Sequence, residues 1–254
     1  MKASHIGVIA GAALILIMVI LAVFAGSVSK YDPISTDVSR SLEFPSSRHL
    51  FGTDRLGRDV FSRVLHGLRE DLKVGVFAVL LALVGGSILG VLSTLLEQHA
   101  GILGKAVSNC ITMYARFISA GPGILLLIAI VTFRFGSTVM MVIGIALVLV
   151  PGFIRVIGGI FKRRKNTITL GIAGIVCAII STNMALAIML FAAMGFLGLG
   201  IRPPMPELGA LIAEGRNHLR NASYAVIYPG MTLFVALAAF YLFGESLNIS
   251  FLSD

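Results

Sequence analysis

The sequence predicts an all-α, polytopic membrane protein with about six transmembrane helices, and three observations predict it. Hydrophobic residues fill 57% of the 254 positions. Charged residues fill only 13%, well below the roughly one quarter of a soluble domain. The apolar residues fall in continuous runs of about 20, the length a helix needs to cross a bilayer, without the alternation of barrel strands.

Taken in order, the first run covers 6 to 28. It is longer than the apolar core of a signal peptide and reads as an uncleaved span. Tyr31, Asp32 and Pro33 then break the helix. The second run covers 74 to 96, and the third 118 to 132 with an interfacial lead-in from Ala106. The fourth covers 138 to 160, the fifth 167 to 197 and the sixth 226 to 243. Pro122 and Pro151 predict kinks in spans three and four. Gly7 with Gly11, and Gly86 with Gly90, have the spacing of close helix contacts.

Six spans put both termini on one side. The turn "FKRRKN", 161 to 166, carries Lys162, Arg163, Arg164 and Lys165. Short basic loops stay cytoplasmic, so both termini are expected inside, with Lys2, Lys105 and Arg116 on the same side. The other use of such a cluster is contact with lipid phosphate or a partner. The net charge of +8 therefore reports orientation before it reports any nucleic-acid partner, and none is expected. Cys110 and Cys177 read as lone buried thiols, and the five histidines show no pair at metal-ligand spacing.

The stretch "HLFGTDRLGRDVFSRVLHGLREDL", 49 to 72, is a charged island between apolar runs. Leu56, Val60, Val64 and Leu68 recur every four residues as one apolar stripe. Arg55 with Asp59, and Asp59 with Arg63, are spaced for exposed ion pairs on the opposite face, worth a few tenths of a kcal/mol each. Thr53 or Asp54 is expected to cap the helix start, and Gly52 and Gly57 to allow tight chain geometry. The expectation is an amphipathic helix on the outer membrane surface, leading into span two. It serves either as a plain connector or in function.

This island resembles the segment H-x-x-G-T-D-x-x-G-R-D-x-x-S-R that follows the first span in C-type permease subunits of the dipeptide/oligopeptide/nickel family of binding-protein-dependent ABC importers. The matching positions are His49, Gly52, Thr53, Asp54, Gly57, Arg58, Asp59, Ser62 and Arg63. The block "GFLGLGIRPPMPELGALIAEGR", 195 to 216, resembles the family's stretch between spans five and six. "YDP" at 31 to 33, "YPG" at 228 to 230 and "FGESL" at 243 to 247 fit as well. The resemblance implies the type I ABC importer permease fold. It implies a second, B-type permease, ATPase subunits that bind the ATP, and an extracytoplasmic substrate-binding protein delivering a peptide, nickel or a chelate. It implies a prokaryotic cytoplasmic membrane. The chain holds no G-x-x-x-x-G-K-[ST] stretch, so it is not expected to bind ATP or any other cofactor itself. By the same resemblance Asp54, Arg58, Asp59, Arg63, Arg202, Glu207 and Arg216 belong to an outer gate or docking surface. The organisation is then residues 1–72, first span and outer segment, and 73–254, permease core.

Asn183, beside Ser181 and Thr182 in span five, either lines the pathway or bonds between helices. The Gly- and Pro-rich 198 to 216 makes a rigid outer loop or a re-entrant segment. One departure from the family stands out. Its coupling loop, marked by E-A-A-x-x-x-G, is absent: "GFIRVIGGI" runs through "FKRRKNT" straight into span five. A coupling helix of about ten residues is about 15 Å long, and six residues cannot supply it. Lys162, Arg163, Arg164 and Lys165 are the remaining candidates for ATPase contact. Residues 97 to 117 form the other sizeable cytoplasmic segment, weakly amphipathic and read as an interfacial helix. Two readings follow: a permease subunit with altered coupling, or a non-transporting assembly or regulatory subunit of the same fold. A membrane enzyme is set aside because the apolar runs show no pair of acids, no His cluster and no nucleophile motif.

Overall fold

The protein is described by a computed structural model over residues 2–99, 101–121, 123–134, 136–162 and 169–252. Those residues form nine α-helices: α1 Lys2–Val23, α2 Ala25–Val28, α3 Val60–His99, α4 Gly101–Ser119, α5 Gly123–Phe133, α6 Thr138–Lys162, α7 Thr169–Phe196, α8 Leu208–Gly215 and α9 Tyr224–Leu252. Five of them, α1, α3, α6, α7 and α9, are long and apolar enough to cross a membrane.

The third apolar run bends far more sharply than the kink the sequence predicts in it. It is divided between α4 and α5, which bend by 93° and make a sixth span only as a pair. Alone, the 11 residues of α5 reach only about 16 Å. Gly121 closes α4 in a left-handed conformation, φ 125°, that disfavours other residues. Pro122 lies outside the described residues, whereas Pro151 sits inside α6. The lead-in is a full 19-residue helix, and α4 is clearly two-faced. Gly104, Ser108, Ala115 and Ile118 are buried, while Ile102 and Leu103 are exposed.

Small residues set the main helix contacts. α3 packs most extensively on α6, and α9 on α7 and α1. A methyl group at Gly86 would overlap Phe153, and one at Gly90 would press on the Ile154 carbonyl at 2.9 Å. A methyl group at Gly11 would come within 2.9 Å of the Phe243 backbone, and one at Gly7 would overlap Ser246. Both glycine pairs therefore lie at helix contacts. The second set also runs α1 antiparallel to α9, so the two chain ends share one face. Cys110 and Cys177 are unpaired but exposed, not buried, because each points off the apolar bundle surface.

Candidate functional site

The island does not lie flat on a membrane surface. Its helical part is the first three turns of α3, which runs unbroken for 40 residues, about 60 Å. The helix starts at Val60, later than expected, because Gly52 to Asp59 form a tight loop. Thr53 and Asp59 bridge, and the Arg58 carbonyl accepts from Asp54 N–H at 2.9 Å. Gly57, φ 71°, turns so close to Asp37 that a side chain would overlap its carbonyl. The N-cap is Asp59, which accepts from Ser62 N–H at 2.7 Å, rather than Thr53 or Asp54. Val60, Val64 and Leu68 face the core as the stripe predicts, but Leu56 precedes the helix.

The expected exposed ion pairs are replaced by buried ones. Residues 31 to 59 cover the polar face of α3, so Arg58, Asp59 and Arg63 are only 6%, 5% and 2% exposed. Arg58 Nε meets Asp54 Oδ2 at 2.7 Å, and its Nη2 meets Glu214 Oε2 at 2.8 Å. Arg63 Nη1 meets Asp54 at 2.5 Å and Glu214 at 2.7 Å. Two guanidinium groups thus share two carboxylates, and charge balances within the cluster. Asp59 instead pairs with His49 Nδ1 at 2.8 Å, and the Tyr31 ring stacks on His49 at 4.6 Å. The Tyr31 carbonyl accepts from Ser62 Oγ, the Thr53 carbonyl accepts from Tyr224, and Phe51 stacks on Tyr228 at 3.9 Å. The Y-D-P, island and Y-P-G segments, distant in sequence, make one cap. Between cap and α8 opens a cleft of about 360 Å³, lined by Arg55, Arg58, Arg63, Glu214 and His218 among others.

The second block builds the other wall. α7 ends in a turn at Gly198, φ 79°, with Leu199 N–H donating to the Met194 carbonyl and Gly198 N–H to that of Gly195. Residues 208 to 215 then form α8, about 12 Å long and packed on α7 and α9. Glu207 is fully buried, so a docking partner does not reach it. Its carboxylate lies where side chains on Gly195 or Gly200 would stand, which explains both glycines. Burial pushes the Glu207 carboxyl up to about 8, with the Ile201 N–H acting the other way. Asp71 of α3, also fully buried, accepts from the N–H of Leu208, the residue after Glu207, at 3.4 Å. The sequence shows no such acid pair, since 136 positions separate the two; folding creates it. Arg202 packs its stem against Gly136, and Arg216 lies over the Phe196 ring at 5.8 Å, both exposed on this face.

On the opposite face Lys162 meets Glu97 at 3.1 Å, joining the ends of α6 and α3. A second cleft, about 330 Å³, opens there between α3, α4 and α6, with Arg116, Arg155 and Lys162 in its lining. Arg163, Arg164 and Lys165 lie outside the described residues. Asn183 donates to the Ile179 carbonyl of its own helix and faces Gly152 of α6, while Ser181 donates to the Phe240 carbonyl of α9. Asn183 is not joined to the cap. Asp71 and Glu214 are site residues that sequence reasoning did not single out, and His49 was named only as a motif position. The signal for Asp71 is an acid within three residues of an apolar run.

The fold and this site define a multi-pass membrane protein with one face closed by its own loops. No family model matches the chain. It is 33% identical to the glutathione transport system permease protein GsiD of Pectobacterium atrosepticum, over 96% of this chain and 86% of that one. It is 32% identical to the dipeptide transport system permease protein DppC of Alkalihalophilus pseudofirmus, over 94% and 83%, and 32% identical to the di/tripeptide transport system permease protein DppC of Pseudomonas aeruginosa, over 97% and 88%. The chain belongs to the dipeptide/oligopeptide/nickel family of ABC importer permeases, in its C-type branch. The first alignment covers 266 positions, more than the 254 of this chain, so that relative carries residues missing here.

Proposed function

We propose that this chain pairs with a B-type permease to form the pathway of a short-peptide importer driven by two separate ATPase subunits. The observation that carries this is the similarity across 94% to 97% of the chain to permeases of dipeptide, di/tripeptide and glutathione systems. Those cargoes are all short peptides, which favours peptides over nickel or other chelates. The chain works as a transport subunit of a prokaryotic cytoplasmic membrane and not as an enzyme.

In this reading the cap faces outward and both termini lie inside. The substrate-binding protein docks around the cleft, where Arg55, Arg202 and Arg216 are exposed. The half-buried Asp54 and the buried Arg58, Asp59 and Arg63 shape that surface from beneath. Asn183 lies on the pathway side of α7. Exposed apolar side chains of α1, such as Ile9 and Leu16, contact lipid. The short α6–α7 connection, with Lys162, Arg163, Arg164 and Lys165, touches the ATPase weakly, so the B-type partner carries most of the coupling. No observation favours a purely regulatory subunit.

The test is ATP hydrolysis by the purified assembly. Dipeptide-loaded binding protein is expected to stimulate hydrolysis only when this chain is present. Full stimulation without it would reject the proposal.

A further inference from the structure

Two acids beneath the cap have no ion-pair partner among the described residues. Asp71 and Glu207 are each fully buried, and as carboxylates they repel one another. Asp71 Oδ2 and Glu207 Oε1 have no hydrogen-bond partner among the described residues. The remaining oxygens accept only backbone N–H groups, from Leu208 and Ile201, each at 3.4 Å.

Among the described residues no cation is ion-paired with either acid. On α3, Glu70 adds a further negative charge against Asp71 and is itself paired with Lys73 at 2.6 Å. On α8, Glu214 is committed to Arg58 and Arg63. α7 presents Gly195 and the Ala192 carbonyl, and Arg202 packs its stem against Gly136. Arg216 lies over Phe196. Two negative charges in such a dry place are far costlier than one, and a pair of carboxyls answers this by keeping a proton.

We propose that Asp71 and Glu207 form a proton-binding site: together they take one proton from water, hold it on their otherwise unpartnered oxygens, and carry one negative charge instead of two. The raised position of Glu207, about 8, agrees with this. A metal ion fits poorly. Backbone N–H groups already point at both carboxylates, and the glycine walls press against the Glu207 carboxyl. Two carboxylates also fall short of the about six to eight oxygens that calcium takes. The proton joins three elements: Asp71 on α3, the α7 end through Gly195, and Glu207 at the start of α8. Losing it places two charges in that joint and loosens the packing of α8 against α3 and α7.

The sign follows from linkage. The Glu207 carboxyl has an ordinary value of 4.5 and is raised to about 8 by burial in the fold. Its favourable contribution is full below the lower value, falls as pH rises between the two, and is gone above the upper one.

The experiment measures melting temperature against pH, from about 5 to about 9, for the full chain in lipid nanodiscs and for Glu207→Gln and Asp71→Asn. Each variant is expected to gain on the wild type as pH rises, with the gap levelling above about 8. Infrared spectra of the wild type at neutral pH should show a protonated carboxyl band. That band should vanish at alkaline pH and be missing from the doubly substituted D71N/E207Q protein. A gap that does not change with pH, or no protonated band at neutral pH, overturns the proposal. So does an alkaline wild type whose melting temperature rises with added sodium or calcium while E207Q does not respond. If Glu207→Gln fails to fold, the Asp71→Asn series and the wild-type band decide the matter.

Discussion

Arg63 is 2% exposed and meets Asp54 and Glu214 at 2.5 and 2.7 Å. Arg63→Ala would leave Asp54 with Arg58 alone, inside a cluster covered by residues 31 to 59. Removing one partner of a buried pair costs about 3 kcal/mol or more, whereas an exposed pair is worth about 0 to 1. A large fall in melting temperature is therefore expected for Arg63→Ala. Arg63→Lys should fall between, because it keeps the charge and loses the two-pronged fork. Glu214→Gln should cost only about 1 kcal/mol, since its side chain is 40% exposed. The arginines and acids of the island are legible as a motif, but their partners are not. Helical spacing pairs Asp59 with Arg63. Folding instead gives Asp59 to His49, ten residues earlier, and Arg63 to Glu214, 151 residues later. Only the fold brings such partners together, so no local spacing announces them.

At the scale of elements, the α3–α6 seam rests on adjacent glycines with different surroundings. A methyl group at Gly86 would overlap Phe153, while at Gly85 the nearest atom, on Val150, is at an ordinary 3.7 Å. Gly86→Ala is expected to destabilise by about 1 to 3 kcal/mol through overpacking. Gly85→Ala should be neutral, or stabilising by up to about 1 kcal/mol from helix propensity. Thermal unfolding of the two variants separates them, and an equal loss would contradict the seam. The same packing accounts for what was readable here. Gly-x-x-x-Gly spacing marks a close approach without naming the facing helix. Continuous apolar runs likewise marked α1, α6 and α7 near their observed limits, but α3 starts 14 residues before its run and α9 ends nine residues after its own. Pro122 marks a kink in the third run, but apolarity is continuous through Gly121 and does not show that the kink is a 93° break between two helices.

For the whole molecule, orientation and coupling carry the remaining predictions. The cap and the α6 end lie on opposite faces, and the proposed topology puts the latter in the cytoplasm because short basic loops stay inside. Cysteines placed at Ser47 or Arg216 should react with impermeant thiol reagents from outside, and one at Asn166 should not. Labelling at 166 from outside would invert the topology. Crosslinks from Lys162 to the ATPase should be sparse and fall at high salt, because exposed ion pairs are screened. Dense, salt-resistant crosslinks would show that the short turn couples fully. The central claim, that this chain is the C-type permease of a short-peptide importer, is met most directly by uptake of a labelled dipeptide in cells lacking the chain. Restoring the chain should restore energy-dependent uptake, and restoring an Arg63→Ala form should not. Uptake that is unchanged when the chain is absent, with the partner permease and ATPases present, would contradict the account.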